Sequence, residues 1–151
     1  MQLFSYQEQE ATLSLQAGLE EYRSGFPGLL DASELPSRAA RFFHAHDICH
    51  VVFGCDTSVA QEAMADTWSV FGTSLGFGAY LDYLRLPQAN NIFRQIGYGR
   101  TAWETLRVSP RLVQVIIRAR HMARPWPFWD NDQYLGIPLK KIREEFNIRL
   151  V

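Results

Sequence analysis

The chain has 151 residues, 47% of them hydrophobic and 21% charged, with a formal net charge of −1. That length suits one domain that buries a core without disulfides or a structural metal, and the composition excludes disorder. The small net charge argues against a nucleic-acid binder held by bulk charge, and two cysteines, Cys49 and Cys55, fit buried thiols in a reducing compartment better than a disulfide framework.

Helical periodicity dominates from the first segment onward. Leu15, Leu19 and Tyr22 recur at helical spacing in a segment from about Leu3 to Arg23, which Ser24-Gly25 and Pro27-Gly28 end. A second helix is predicted from Pro36, a residue favoured at a helix start, through Phe42, Phe43, His46 and His50 to a stop at Gly54. Ser58-Val59-Ala60-Gln61 has the spacing of a capping box and opens a third, carrying Met64, Trp68, Phe71 and Leu75 and reaching toward Leu84. A fourth is expected from Gln88 to Arg107, after Pro87. Ser109-Pro110 reads as N-cap and first residue of a fifth, bearing Leu112, Val113, Ile116 and Ile117. Arg124 to Trp129 reads as an ordered loop, and a short helix from Pro138 to Phe146 closes the chain. No period-2 alternation and no hairpin turn signal appears, so the expectation is a single compact all-α domain of six to seven helices.

The charge is unevenly spread. Residues 1–75 hold 3 Lys/Arg against 10 Asp/Glu, and residues 76–151 hold 12 against 6. Either an acidic half faces a basic half within one fold, or the basic half meets an anionic partner such as a lipid headgroup or phosphate. The N-terminus lacks the basic and apolar regions of a signal peptide and is acidic where a mitochondrial presequence is Arg-rich. The uncharged stretch from Trp68 to Leu81 falls short of the roughly twenty residues of a spanning helix, so the chain is expected to be soluble or peripheral.

Chemistry concentrates at His46-Asp47-Ile48-Cys49-His50. Residues four apart on a helix share a face, so the two imidazoles stand one above the other, with Asp47 at the edge of that face. Imidazole suits zinc and iron, and a carboxylate compensates the cation's charge. Glu62 lies twelve residues after His50. On an unbroken helix that is about 18 Å along the axis, out of reach. A break at Gly54 and a new start at Ser58 place Glu62 in the first turn of a returning helix, giving a clasp of four ligands: His46, Asp47, His50 and Glu62. The same residues also suit a hydrogen-bonded cluster, and the helix dipole alone favours Glu62 in a first turn. His44 falls on another face and reads as exposed, and Cys49 points away from the imidazoles.

The spacing H-D-x-x-H, eleven residues, Glu, with Gly four after the second His, resembles the motif of the ubiquinone (coenzyme Q) biosynthesis protein 4 family; His46, Asp47, His50, Gly54 and Glu62 match it. The tail is similar as well: Trp126, Pro127 and Trp129 precede Pro138-Leu139-Lys140-Lys141-Ile142-Arg143, and Asn147-Ile148 follows. The resemblance implies an all-helical fold and a divalent metal, zinc, bound by the motif residues with one position open. It implies action on polyprenylated benzoate precursors of ubiquinone, by removal of the ring C1 carboxyl group. It also implies association with other ubiquinone-biosynthesis proteins and peripheral contact with a membrane. Without a presequence, a bacterial cytoplasmic protein, with contact at the inner face of the membrane left open, is the expectation; nucleic acid is not expected and a homodimer is left open. A non-catalytic prenyl-lipid-binding scaffold is the alternative, and a metal-dependent hydrolase of HD or zincin type the third reading.

Two further features bear on a lipid substrate. Gly72 and Gly76, four apart, could line one helix face, either for close helix packing or as the floor of a groove for an isoprenoid tail. Arg118, Arg120 and Arg124 near Trp126 and Trp129 suit an anionic bilayer surface, the carboxylate or phosphate of an amphiphile, or a solvated helix face beside core tryptophans.

Overall fold

The computed structural model describes residues 4–26, 36–84 and 98–151, and these residues form an all-α structure of six helices with no strand. The helices are α1 (Leu15–Gly25), α2 (Ser37–Phe53), α3 (Val59–Phe71), α4 (Gly76–Leu84), α5 (Tyr98–Arg120) and α6 (Leu139–Phe146), with short 3-10 turns at Ser5–Gln7 and Asp132–Tyr134. No described helix is long and apolar enough to cross a membrane.

The central element is α2. Ala45, Ile48, Cys49, Val51, Val52 and Phe53 are all buried, as are His46 and His50, so this helix is surrounded on several sides. It packs against α1 and α3, and α5 lies along α3. The Phe53 and Trp68 rings stack 4.4 Å apart between α2 and α3. Residues of α1, α2, α3, α5 and α6 meet in a hydrophobic cluster that includes Leu15, Ile48, Trp68, Val115, Trp126 and Phe146.

Helix ends are settled mostly by neighbours. The first N–H groups of a helix have no intrahelical acceptor. In α1, Leu15 and Gln16 donate to the carbonyls of Ile137 and Leu135, and in α6, Leu139 and Lys140 donate to those of Leu13 and Ala11. The two helix starts thus cap each other across the Ser14–Pro138 bridge. At the end of α2, Gly54 takes φ 70°, and its N–H and that of Cys55 close onto the carbonyls of His50 and Val51.

Several boundaries differ from the sequence expectation. The first helix begins only at Leu15, and Ser5–Gln7 is a separate turn. Ser58 stands at the N-cap of α3, but its hydroxyl caps nothing; Asp56 Oδ1 instead accepts from the Ser58 N–H at 2.8 Å. The third helix does not run to Leu84. It stops at Phe71 because residues 72–74 pair with Trp126: Trp126 N donates to Gly72 O at 2.8 Å and Ser74 N to Trp126 O at 2.9 Å. Ser109-Pro110 starts no helix; α5 runs through Pro110, held along α3. The expected break at Pro87 and the stretch 88–97 lie outside the described residues.

Candidate metal centre

The short connection from Gly54 to Ser58 turns the chain back, so α2 and α3 lie side by side with their facing residues in opposite order. His50, near the end of α2, meets Glu62, near the start of α3: Nε2 lies 3.2 Å from Oε2. One turn back along α2, His46 meets Asp66, one turn on along α3: Nε2 lies 3.2 Å from Oδ1. Glu62 also reaches back, its Oε1 4.0 Å from His46 Nδ1. The fold-back that the break at Gly54 predicts is therefore present, and it brings His46, His50 and Glu62 together.

One ligand-type atom from each of these three residues lies within 4.8 Å of the others. Both imidazoles are buried, while the Glu62 side chain is 39% exposed, so the cluster opens to solvent on the α3 side. Aromatic rings fix the imidazole planes from behind. Tyr22 of α1 stacks on His50 at 5.1 Å, and Phe42 stacks on His46 at 6.1 Å.

The charges are mutually supporting. Burial disfavours a protonated His46, yet the Asp66 hydrogen bond and the charges of Glu62, Asp66 and Asp47 reverse this and push its pKa up to about 9. Burial would likewise raise Glu62, but His50 and His46 hold its carboxyl well below the usual range.

Two imidazoles, one carboxylate and an open side make the donor set of a catalytic zinc site, with three protein ligands and a fourth position for water or substrate. Ligand atoms at tetrahedral angles around one zinc ion sit about 3.4 Å apart, so binding requires these side chains to draw together by up to roughly 1–1.5 Å. His50 Nδ1 is buried without a hydrogen-bond partner among the described residues. Ligation through His50 Nε2, the atom that faces Glu62, leaves that nitrogen as it is, so the fit rests on the donor set and its placement. The residues fit a divalent cation.

Asp47 does not join this group. It lies against Arg23 of α1, whose Nη2 and Nε are 3.0 and 3.2 Å from Oδ2, and burial raises its carboxyl despite that partner. Asp66 is the residue that sequence reasoning missed, although Glu62 and Asp66 repeat on α3 the four-residue spacing of His46 and His50 on α2. His44 is half-buried rather than exposed, its Nδ1 2.9 Å from Arg23 Nη2. Cys49 and Cys55 are both buried free thiols, as expected.

The lipid-facing features are arranged otherwise than the spacing suggests. Gly72 and Gly76 do not share a helix face, because the first ends α3 and the second opens α4. A Cβ on Gly72 would lie 2.8 Å from the Trp68 ring and 3.3 Å from Met122 Sδ, which is close packing rather than a groove floor. Gly76 has open space but a φ of 75°, so backbone conformation is its requirement. Arg124 is occupied by Glu145, Tyr134 and the Phe146 ring. Trp126 is fully buried in the core, away from any surface, while Trp129 carries Arg41 over its ring at 5.3 Å. Arg120 is exposed, and Arg118 lines a cleft with Gln9, His121, Asn147, Arg149 and Leu150.

Taken together, fold and site define a helical protein with a two-histidine, one-carboxylate centre between antiparallel helices. No model of a known protein family, no curated protein and no solved structure matches this chain.

Proposed function

We propose that this chain binds a divalent metal, zinc, and acts on a polyprenylated benzoate precursor of ubiquinone, with loss of the ring C1 carboxyl group. The observation that carries this reading is the convergence of buried His46 and His50 with Glu62 at an opening to solvent. The substrate class rests on the motif resemblance, whose first, third and last metal positions are these three residues.

A bound divalent ion supplies Lewis-acid charge for a carboxylate or phenolate oxygen. The chain's part is to hold that chemistry in place. His46 and His50, wedged by Phe42 and Tyr22, orient two donors, and Glu62 supplies the third along with compensating charge. Loss of CO2 breaks the bond from ring C1 to the carboxyl carbon, leaves the electron pair on the ring and requires a proton there, which solvent at the Glu62 side can deliver. The exposed side chains of Phe71, Phe77 and Leu81, with Val113 and Ile117 on α5, supply apolar surface for a prenyl tail. The neighbouring partners would be other ubiquinone-biosynthesis proteins and, through such surface, a membrane face.

Elemental analysis of the purified protein, with CO2 release measured from a prenylated hydroxybenzoate, tests the proposal. One equivalent of zinc is expected, and His50→Ala should lose both metal and turnover. Full metal content and full turnover in His50→Ala would overturn the assignment. Retention of prenyl lipid without turnover in the unaltered protein would favour a binding scaffold.

A further inference from the structure

The His46 ring stands between two carboxylates on α3. Its Nε2 lies 3.2 Å from Asp66 Oδ1, and its Nδ1 faces Glu62 Oε1 at 4.0 Å. A neutral imidazole carries its hydrogen on one nitrogen and a lone pair on the other, and the hydrogen-bond partner decides which. A carboxylate accepts and cannot donate, so when His46 gives up its second proton to a cation, as a ligand must, Asp66 keeps the remaining hydrogen on Nε2 and frees the Nδ1 lone pair toward Glu62. His50 presents the other nitrogen to the same carboxylate, Nε2 at 3.2 Å from Oε2.

We infer that Asp66 is a positioning residue for the metal centre: it anchors His46 so that this residue ligates through Nδ1, while His50 ligates through Nε2. The inference rests on the metal reading given above and adds to it a residue outside the H-D-x-x-H and Glu pattern. Asp66 suits the role because it is set one helical turn beyond Glu62, on the same face of α3, with its side chain only 22% exposed. His50 has no equivalent anchor, since its second nitrogen is buried without a partner among the described residues. His46 is therefore held by stacking on Phe42 and by the Asp66 hydrogen bond, and His50 by stacking on Tyr22 and its contact with Glu62. Partners of this kind, outside the ligands themselves, typically account for about 10- to 100-fold in metal affinity.

The test uses the whole chain and zinc alone, without substrate. Long-range proton–nitrogen correlation spectra of the 15N-labelled, zinc-loaded protein should show His46 with a protonated Nε2 and a metal-bound Nδ1, and His50 metal-bound at Nε2. Competition titration should show Asp66→Ala binding zinc about 10- to 100-fold more weakly. Asp66→Asn, whose amide oxygen accepts the same hydrogen, should recover most of that loss. Metal bound at His46 Nε2, unchanged zinc affinity in Asp66→Ala, or an equal loss in Asp66→Asn and Asp66→Ala would each overturn the positioning role while leaving the metal centre standing. Should Asp66→Ala fail to fold, the spectra of the unaltered protein and the Asp66→Asn titration decide. Failure of the unaltered protein to take up zinc would overturn the metal reading, and this inference with it.

Discussion

Asp47 and Glu62 are both carboxylates of the matched motif, and their surroundings separate them. The Asp47 carboxylate is already held by the Arg23 guanidinium, which offers two N–H groups to one oxygen. Drawing Asp47 to a cation would strip Arg23 of its partner, a cost that Glu62 does not carry, because the two imidazoles are themselves the groups it faces. Asp47→Asn should therefore leave zinc affinity within about threefold, since any outer-shell influence passes through His46 and His50 only as charge. Glu62→Gln, which removes a proposed ligand, should lower affinity by more than about 100-fold; isothermal titration of both variants decides the ranking. The cysteines illustrate the opposite situation, residue types that suggest chemistry in a place that forbids it. Cys49 and Cys55 are fully buried, and burial pushes the Cys49 thiol up to about 12 and the Cys55 thiol higher still. A disulfide-exchange reagent at pH 8 should find no reactive thiol in the native protein and two after denaturation.

At the scale of helices, the His46–His50–Glu62 cluster depends on one sharp turn. Gly54 occupies the left-handed region at φ 70°, and an added Cβ would come within 2.9 Å of Leu150 Cδ1. Gly54→Ala should cost about 1–2 kcal/mol of stability from the backbone alone, with the Leu150 clash in addition, read as a fall in the urea midpoint at unchanged m-value. Gly54, His46 and His50 were legible in the sequence because each needs only local rules: a helix stop and a four-residue period. The His46–Asp66 pairing was not, because it depends on the sliding register of α3 against α2, which side-chain packing such as the Phe53–Trp68 stack fixes. The same distinction explains the boundaries. Gly72 and Gly76 interrupt a segment whose apolar spacing reads as continuous, because the Trp126 backbone, distant in sequence, takes the hydrogen bonds of residues 72 and 74. Pro110 reads as a helix start by local preference, yet packing along α3 carries α5 through it. The tail motif was legible as a pattern but not as a purpose. Its Leu139 is fully buried, and its Asn147 takes a left-handed φ of 54° to end α6, so those positions serve the fold.

Across the whole molecule, Arg143 of that tail joins the two ends of the chain to the helix that carries the histidines. It is 1% exposed, and in this interior its guanidinium donates to main-chain carbonyls from two distant segments. Nη2 meets Tyr6 O at 2.7 Å and Val51 O at 2.9 Å, Nε meets Val52 O at 3.0 Å, and Nη1 meets Glu8 O. The Val51 and Val52 carbonyls belong to the last turn of α2, where Val51 O takes the Gly54 N–H at 3.3 Å and Val52 O has no helical N–H left to accept, so the cation also lies at the favourable end of the helix dipole. Burial lowers the Arg143 pKa to about 10, which still leaves it charged at neutral pH. Desolvation of the charge is a cost, and the planar fork offsets it by serving four acceptors at once. A lysine carries the same charge on a single nitrogen and cannot reach that set. Arg143→Lys and Arg143→Met should therefore both destabilise the fold by about 3 kcal/mol or more, because each strands buried carbonyls. A lysine variant within about 0.5 kcal/mol of the parent in urea denaturation would show that charge, rather than the fork, holds the N-terminal segment and α6 to the end of α2.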